Sequence, residues 1–217
     1  MIAGAAHHAR RPSRRAVLPA RFYARDTETV ARELLGAVLE CRTADGTAAG
    51  RIVETEAYLG EHDAACHAAA GFTARTAPLY GPPGAAYVYF IYGMHWCVNA
   101  VTRKRGEPSA VLIRAVEPVQ GIELMRRRRG VRRELDLTNG PAKLCEALGI
   151  DGRHNTLSLQ VPPLVIRAGA SVPDGDVVVT PRIGIRRAAE WPLRFAVADS
   201  PYVSRTPAGF PRRPYAR

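Results

Sequence analysis

The sequence predicts one α+β domain with a curved antiparallel β-sheet and flanking helices. A length of 217 residues suits a single domain. β-rich runs separated by turn residues occupy the middle of the chain, and short helical patterns lie on either side of them. The predicted organisation is a basic arm over residues 1–20, the domain over residues 21–206 and a loose tail over residues 207–217.

The first predicted element is a helix that begins at Asp26 or Thr27, both of which are good N-cap residues. Its apolar residues recur at helical spacing and would form one face: Val30, Leu34 and Val38. Gly36 is expected to end the helix early, because glycine is a poor helix former.

A β-hairpin follows. Residues 37–43 and 48–58 have the composition of strands, and Asp45-Gly46 between them is a strong turn signal. Residues 60–84 hold several glycines and prolines with little periodicity, so we expect a long loop with a short helix near Asp63. Long loops inside compact domains are frequently functional.

The middle of the chain predicts an antiparallel meander of three strands. Residues 85–91, 95–102 and 110–116 are rich in aromatic and β-branched side chains and are separated by Gly93 and Gly106. Helical patterns follow at residues 119–129 and 141–148, and the remainder alternates short strands with proline-rich turns.

The composition is strongly basic, with a net charge of +11. Such a surplus attracts a polyanion such as duplex DNA, although an arginine-rich composition alone also produces it. The basic arm would be either disordered or in contact with DNA phosphates. No stretch reaches the ~20 apolar residues of a membrane span. The four cysteines form no Cys-x-x-Cys pair, which indicates free thiols in a reducing cytoplasm: Cys41, Cys66, Cys97 and Cys145.

One strand carries an unusual set of polar residues. Glu54, Glu56 and Tyr58 alternate along residues 48–58 and so share one face of that strand. Such a face is more typical of solvent exposure than of a core. If it were buried, one carboxylate would raise the pKa of the other, which suits proton transfer.

The aromatic hairpin around Gly93 is a second candidate site. Phe90 and Trp96 are expected in the core, whereas Tyr92 and Met94 would point outward at the tip. An exposed aromatic residue at a hairpin tip of a basic protein is a candidate wedge between base pairs. Asn99 and Arg114 would lie on neighbouring strands, where a buried Asn needs hydrogen-bond partners and is either a structural bridge or a specificity group.

Two further patterns have weaker implications. Arginines crowd residues 103–133, including four in a row at residues 126–129, and we expect phosphate contacts there, with a solvated helix face as the alternative. His62, Cys66 and His67, together with His95 or Cys97, match no familiar zinc spacing, so no metal site is predicted.

Taken together, these segments resemble the 3-methyladenine (alkyladenine) DNA glycosylase family. The resemblance spans about residues 20–205 and rests on several long motifs in the family's order: Gly50-Arg-Ile-Val-Glu-Thr-Glu-Ala-Tyr-Leu-Gly60, His67, Tyr87-Val-Tyr-Phe-Ile-Tyr-Gly-Met94, Asn99, Val111-Leu-Ile-Arg-Ala-Val-Glu-Pro118, Asn139-Gly-Pro-Ala-Lys-Leu-Cys145, Pro192-Leu-Arg-Phe195 and Ser200-Pro-Tyr-Val-Ser204. His95 and Trp96 depart from the aromatic residues that vertebrate members carry at the hairpin.

The resemblance implies a repair enzyme that flips alkylated or deaminated purines from damaged double-stranded DNA and hydrolyses the N-glycosidic bond, leaving an abasic site. Glu56 would activate the attacking water, and Arg114 would help to hold that water or the backbone. The base pocket would comprise Tyr58, His67, Tyr89 and Asn99, with Asn99 excluding guanine. Tyr92 and Met94 would intercalate, and phosphate contacts would come from Arg103, Arg105 and Lys143. A monomer without metal or cofactor is expected.

Two rival functions remain at this point. A non-catalytic nucleic-acid-binding protein would leave Glu56 and His67 dispensable. A lyase-type glycosylase would use an amine, for which Lys104 and Lys143 are the only lysines in the chain.

Overall fold

The computed structural model describes residues 16–204 and the short strand Arg213–Pro214. Its helices are α1 (Ala20–Tyr23), α2 (Thr27–Glu33), α3 (Ile122–Arg129) and α4 (Pro141–Leu148). The strands are β1 (Val38–Thr43), β2 (Gly46–Tyr58), β3 (Ala86–Ile91), β4 (His95–Val101), β5 (Ala110–Gln120), β6 (Leu164–Arg167), β7 (Val177–Thr180), β8 (Arg194–Val197) and β9 (Arg213–Pro214). No helix in the described part of the chain has the length and apolar character needed to cross a membrane.

The strands form one antiparallel sheet, which confirms the predicted fold class. The main path runs β3-β4-β5-β2-β8-β7-β9, and β1 joins β2 to β6. Strands β3, β4 and β5 are the predicted meander, and β1 and β2 are the predicted hairpin. The buried side chains form one main core between the sheet and helices α2, α3 and α4.

Strand β2 is the long central strand of the fold, with 13 residues. It pairs with β5 along its length on one side, while on the other side its neighbour changes from β1 to β8. Register shifts with β5 flank Glu54. Because bulges bend a strand and re-aim its side chains, these shifts curve the sheet where the two acidic residues lie.

The bulge on β5 places Arg114. Ala115 pairs with Glu54 and Ile113 with Thr55, so Arg114 is the additional residue between them. Its guanidinium then reaches the face of β2 that carries Glu54 and Glu56. On the opposite face, the Thr55 hydroxyl donates to the carbonyl of Ala31 in α2, which confirms the predicted alternation along β2.

The N-terminus of α2 and the C-terminus of α4 are as their sequences predict. The Asp26 carboxylate caps α2 by accepting from the backbone N–H groups of Glu28 and Thr29. Gly149 ends α4 in the left-handed conformation, with φ of 76°. Val38, predicted on the face of α2, belongs instead to β1.

Other sequence-based expectations are corrected. The loop of residues 60–84 contains two 3-10 helices, His67–Ala70 and Ala77–Tyr80, rather than one helix near Asp63. Phe90 is 44% exposed, and Trp96 is half-buried, because the β3–β4 hairpin extends beyond the core.

The predicted arm and tail lie mostly outside the described residues. At the end of the arm, Val17 forms a β-bridge with Arg167 and Ala20 begins α1. Within the tail, Arg213–Pro214 pairs with β7.

Candidate active site

A cavity of about 340 Å³ opens between the β3–β4 hairpin, the loop of residues 60–84 and a loop around Ile183. Its lining includes six of the residues singled out in the sequence: Tyr58, His67, Tyr89, Tyr92, Asn99 and Arg114. Aromatic rings and aliphatic side chains form most of its surface, and polar groups converge at a few points. This composition is typical of a site for a flat, largely apolar ligand.

Glu56 is fully buried beside this cavity and is hydrogen-bonded to three of its lining residues. The Tyr58 hydroxyl and Arg114 Nη1 donate to its Oε2 atom at 3.0 and 3.1 Å. The backbone N–H of Ile183 donates to Oε1 at 2.7 Å. Burial, followed by the neighbouring Glu56, raises the pKa of Tyr58 well above its usual value. The Tyr58 phenol is therefore a hydrogen donor to the Glu56 carboxylate at neutral pH.

Glu54 is also fully buried, so the solvent-face interpretation of this strand is wrong. Its carboxylate accepts hydrogen bonds from Arg114 Nε, Arg194 Nε and the Ser204 hydroxyl and backbone N–H. Burial alone would raise the pKa of Glu54, but Arg114, Arg194 and Ser204 lower it overall. The expected increase in pKa does not occur at Glu54, because Arg114 lies between the two carboxylates.

Aromatic side chains form one wall of the cavity. The rings of Tyr87 and Tyr89 stack with centroids 5.2 Å apart, and His67 meets Tyr89 edge to face at 4.6 Å. His67 Nδ1 and the Tyr87 hydroxyl are hydrogen-bonded at 2.8 Å. Burial, and then the charge of Arg75, lowers the pKa of His67. The imidazole is therefore neutral at physiological pH.

Asn99 lies on β4 opposite Leu112 of β5, as the predicted meander requires. Its side-chain amide donates to the backbone carbonyl of Tyr87 at 2.9 Å. This bond fixes the amide against the neighbouring strand β3. Asn99 also lines the cavity. The structural bridge is therefore present, and the role of Asn99 in specificity stays a prediction.

The tip of the β3–β4 hairpin projects next to the cavity. Tyr92 is 84% exposed and Met94 is 68% exposed. Tyr92 adopts a positive φ of 50° in the turn, a conformation that is uncommon for a bulky residue. An exposed ring in a strained turn points to a functional constraint rather than to packing.

A family profile described as Methylpurine-DNA glycosylase (MPG) matches residues 21–201. A relative from Myxococcus xanthus is 50% identical over 200 residues, covering 91% of this chain and 98% of its own. A relative from Methanoculleus marisnigri is 51% identical over 191 residues, covering 87% and 98%. Both have names that include the words 3-methyladenine DNA glycosylase.

The chain belongs to the methylpurine-DNA glycosylase family. It is therefore a DNA repair hydrolase that acts on N-glycosidic bonds of alkylated bases.

Most of the basic residues predicted as phosphate contacts of this methylpurine-DNA glycosylase have protein partners. Arg103 pairs with Glu107, and Lys143 donates to the Asn139 side chain, while Arg105 is exposed. In the run of four arginines, three side chains are bonded within the protein: Arg126 to Glu123 and Glu134, Arg128 to Thr43 and Ala147, and Arg129 to Glu146. Internal pairing thus accounts for most of that run.

Sequence reasoning missed the loop that closes the site of this methylpurine-DNA glycosylase. Ile183, Gly184 and Ile185 line the cavity, and Arg182 before them forms a buried ion pair with Asp63. This segment has no periodic pattern, and its contact with Glu56 spans 127 residues of sequence. Its local signals of a loop are Pro181 and Gly184.

The described residues contain no group of three or more His, Cys, Asp or Glu side chains placed to hold a metal ion. All four cysteines are free and buried. Cys66 and Cys97 contribute to the wall of the cavity, and burial raises the pKa of both thiols.

Proposed function

We propose that this glycosylase flips alkylated or deaminated purines out of duplex DNA and hydrolyses their bond to deoxyribose with a water activated by Glu56. The observation that carries the proposal is the Glu56 carboxylate, which is held by three residues that themselves line the aromatic cavity. A base in the cavity would bring its sugar toward this carboxylate. The substrate is damaged double-stranded DNA, bound by a monomer without metal or cofactor.

For a purine that carries positive charge, the chemistry requires one base and one water; a neutral purine such as hypoxanthine must also take up a proton as it leaves. As the water oxygen bonds to C1′ of the sugar, the C1′–N bond breaks and its electron pair leaves with the purine. The water proton passes to Glu56, and a purine that carried positive charge leaves neutral. The negative carboxylate also stabilises an oxocarbenium-like sugar, as carboxylates do in glycoside hydrolysis.

The hydrogen bonding of Glu56 leaves capacity for that water. A carboxylate can accept about four hydrogen bonds. Among the described residues three groups donate to Glu56, from Tyr58, Arg114 and Ile183. The fourth position would accept from the attacking water, beside the Arg114 guanidinium.

The cavity would select the base. Tyr58 and Tyr89 offer ring faces and edges, and aromatic rings attract cationic bases more strongly than neutral ones. His67 would contact the flipped base from the wall. Asn99 would oppose the exocyclic amino group of guanine and so reject normal guanine.

The exposed hairpin tip would act on the duplex. Tyr92 would fill the space that the flipped nucleotide leaves, with Met94 beside it, because an unstacked step must be held open. The exposed Arg105 side chain would contact phosphate, and Arg103 and Lys143 would do so by exchanging their present partners.

The direct test incubates the protein with duplexes containing 3-methyladenine, ethenoadenine or hypoxanthine and measures abasic sites. We expect excision of at least one of these bases, with the strand intact and with activity unchanged by EDTA. Undamaged duplex is the control. Absence of excision from all three, or loss of activity in EDTA that zinc restores, would overturn the proposal.

Borohydride trapping distinguishes a lyase reaction that uses a lysine amine from hydrolysis by water. Neither Lys104 nor Lys143 lines the cavity, and Lys143 is bonded to Asn139. We therefore expect no covalent protein–DNA adduct after reduction. A trapped adduct would assign the reaction to an amine instead of to Glu56.

A further inference from the structure

Asp63 and Arg182 form a fully buried ion pair next to the cavity. Both side chains are 0% exposed, and two guanidinium nitrogens reach the two carboxylate oxygens, at 2.5 and 2.8 Å. Taking two charges out of water is costly, and apolar residues of similar size would often be at least as stable. A pair of this kind therefore calls for an explanation beyond fold stability.

The same side chains also form hydrogen bonds with three segments of backbone. The Asp63 carboxylate accepts from the N–H groups of Leu59 and Ala65. Arg182 donates to the carbonyls of Ala57, at the end of β2, and Ala188. The pair thus fixes the loop after β2 and the loop around Ile183, neither of which is part of the sheet, to the strand that carries Glu56.

Two of the three donors to Glu56 are direct neighbours of Arg182. Ile183 is the next residue along the chain, and its N–H donates to Oε1 of Glu56. The Arg182 guanidinium lies 4.7 Å from the centroid of the Tyr58 ring, whose hydroxyl donates to Oε2. Among the described residues no hydrogen bond joins the ion pair to Glu56, although the charge of Arg182 acts on that carboxylate directly. Its influence on the position of the donors to Glu56 passes through Ile183 and Tyr58.

We propose that Asp63 and Arg182 are positioning residues for base excision, which hold the Ile183 N–H and the Tyr58 phenol on the Glu56 carboxylate. The proposal rests on Glu56 being the base. Displacing Ile183 would remove a donor from that carboxylate, whose charged form would then be less favoured. A small displacement in such a site is sufficient to slow catalysis.

The test replaces the pair by apolar residues of similar volume, in the double variant Asp63→Leu/Arg182→Met. This change leaves the net charge unaltered and leaves neither charge buried alone, so the fold is expected to hold. We expect the single-turnover rate to fall roughly ten- to a hundredfold, with affinity for damaged duplex within about threefold. We also expect the acidic limb of the pH–rate profile to move to higher pH.

A second variant covers the case in which the double variant does not fold. Arg182→Lys keeps the charge opposite Asp63 but loses the planar group over Tyr58 and one of the guanidinium donors. It should fold and show a smaller loss of rate with the same direction of pH shift. Wild-type rate and profile in Arg182→Lys would count against the proposal.

The matched control is another ion pair away from the cavity. Arg167 Nε and Glu40 Oε2 are 2.9 Å apart and link β6 to β1. Arg167→Met/Glu40→Leu should keep the wild-type rate and pH profile.

Glu56→Gln, measured in parallel, distinguishes failure of the positioning proposal from failure of the proposed function. If Glu56→Gln is inactive but Asp63→Leu/Arg182→Met folds and keeps the wild-type rate and profile, the pair is only structural and the positioning proposal fails. If Glu56→Gln cleaves at the wild-type rate, the proposed function fails first.

Discussion

Glu54 and Ser204 are separated by 150 residues of sequence, yet two hydrogen bonds join them: the Ser204 N–H and hydroxyl reach the Glu54 carboxylate at 2.6 and 2.7 Å. Arg114 and Arg194 complete the surroundings of Glu54. Glu54 and Glu56 share a face of β2, but only the hydrogen-bond donors to Glu56 all line the cavity. We therefore expect Glu54 to act in folding and Glu56 in chemistry.

Glu54→Gln should destabilise the protein by about 3 kcal/mol at pH 7, because it leaves buried arginines without their anionic partner. The folded-state pKa of Glu54 is lowered, so its contribution is present above the unfolded value of about 4.3 and is lost as the pH falls through the folded value. Urea unfolding of wild type and variant from pH 3 to 7 should show a difference that shrinks toward acid.

Glu117→Gln is the matched control for Glu54→Gln. Glu117 lies on β5 with a partly exposed side chain, 3.5 Å from Arg51. Exposed pairs contribute little, so this variant should change the unfolding free energy by less than about 1 kcal/mol. Equal stability of Glu54→Gln and Glu117→Gln at pH 7 would show that the buried network does not stabilise the fold.

Glu56→Gln should lower the single-turnover excision rate by roughly a hundredfold or more, because glutamine keeps the shape but cannot accept the water proton. Affinity for damaged duplex should change far less, since stacking and phosphate contacts survive. Rapid-quench kinetics and a binding titration on the same preparation measure both. If Glu56→Gln cleaves normally while folded Glu54→Gln does not cleave, the base is Glu54.

Tyr92→Ala should impair excision from duplex DNA more than excision from single strands, because a plug matters only where an opposite strand must be held open. The exposed position means that stability should stay within about 0.5 kcal/mol of wild type. Tyr92→Phe keeps the ring and should behave as wild type. Equal losses on both substrates would show that Tyr92 acts as part of the cavity wall and not as a wedge.

Affinity for undamaged duplex should fall steeply with salt, because bound arginines displace condensed counterions. Arg105→Gln should reduce the slope of log K against log salt by about 0.9 if this exposed side chain contacts one phosphate. Arg51→Gln, which removes a charge already paired with Glu117, is the control and should leave the slope unchanged. A flat plot for wild type would show that the basic excess is not used on DNA.

Local signals predicted most of the sheet. Asp45-Gly46 located the hairpin of β1 and β2, and the glycines that flank β4 located the meander. Alternation along β2 correctly grouped Glu54 with Glu56. These features depend on residues that are near one another in sequence, where turn chemistry and side-chain period act directly.

Burial and long-range pairing could not be predicted from local sequence signals. Acidic residues normally lie on the surface, so the buried state of Glu54 follows only from partners at Arg114, Arg194 and Ser204. The contact of Ile183 with Glu56 requires two loops to meet in space. Phe90 looked like core because aromatic strands usually are, but its strand continues past the body of the sheet.

Because β2 is the central strand of the sheet, substitutions in the loops around the cavity and changes to the carboxylate on β2 have separate effects in this enzyme. Glu56, the proposed base, belongs to the strand with the most extensive pairing in the fold, whereas several walls of the cavity come from loops. Substitutions in those loops can alter which base is admitted without moving the reacting group. We expect relatives with different lesion preferences to differ around Ala65 and Ile185 and to share the geometry of Glu56. Substrate range would then diversify at little cost to folding.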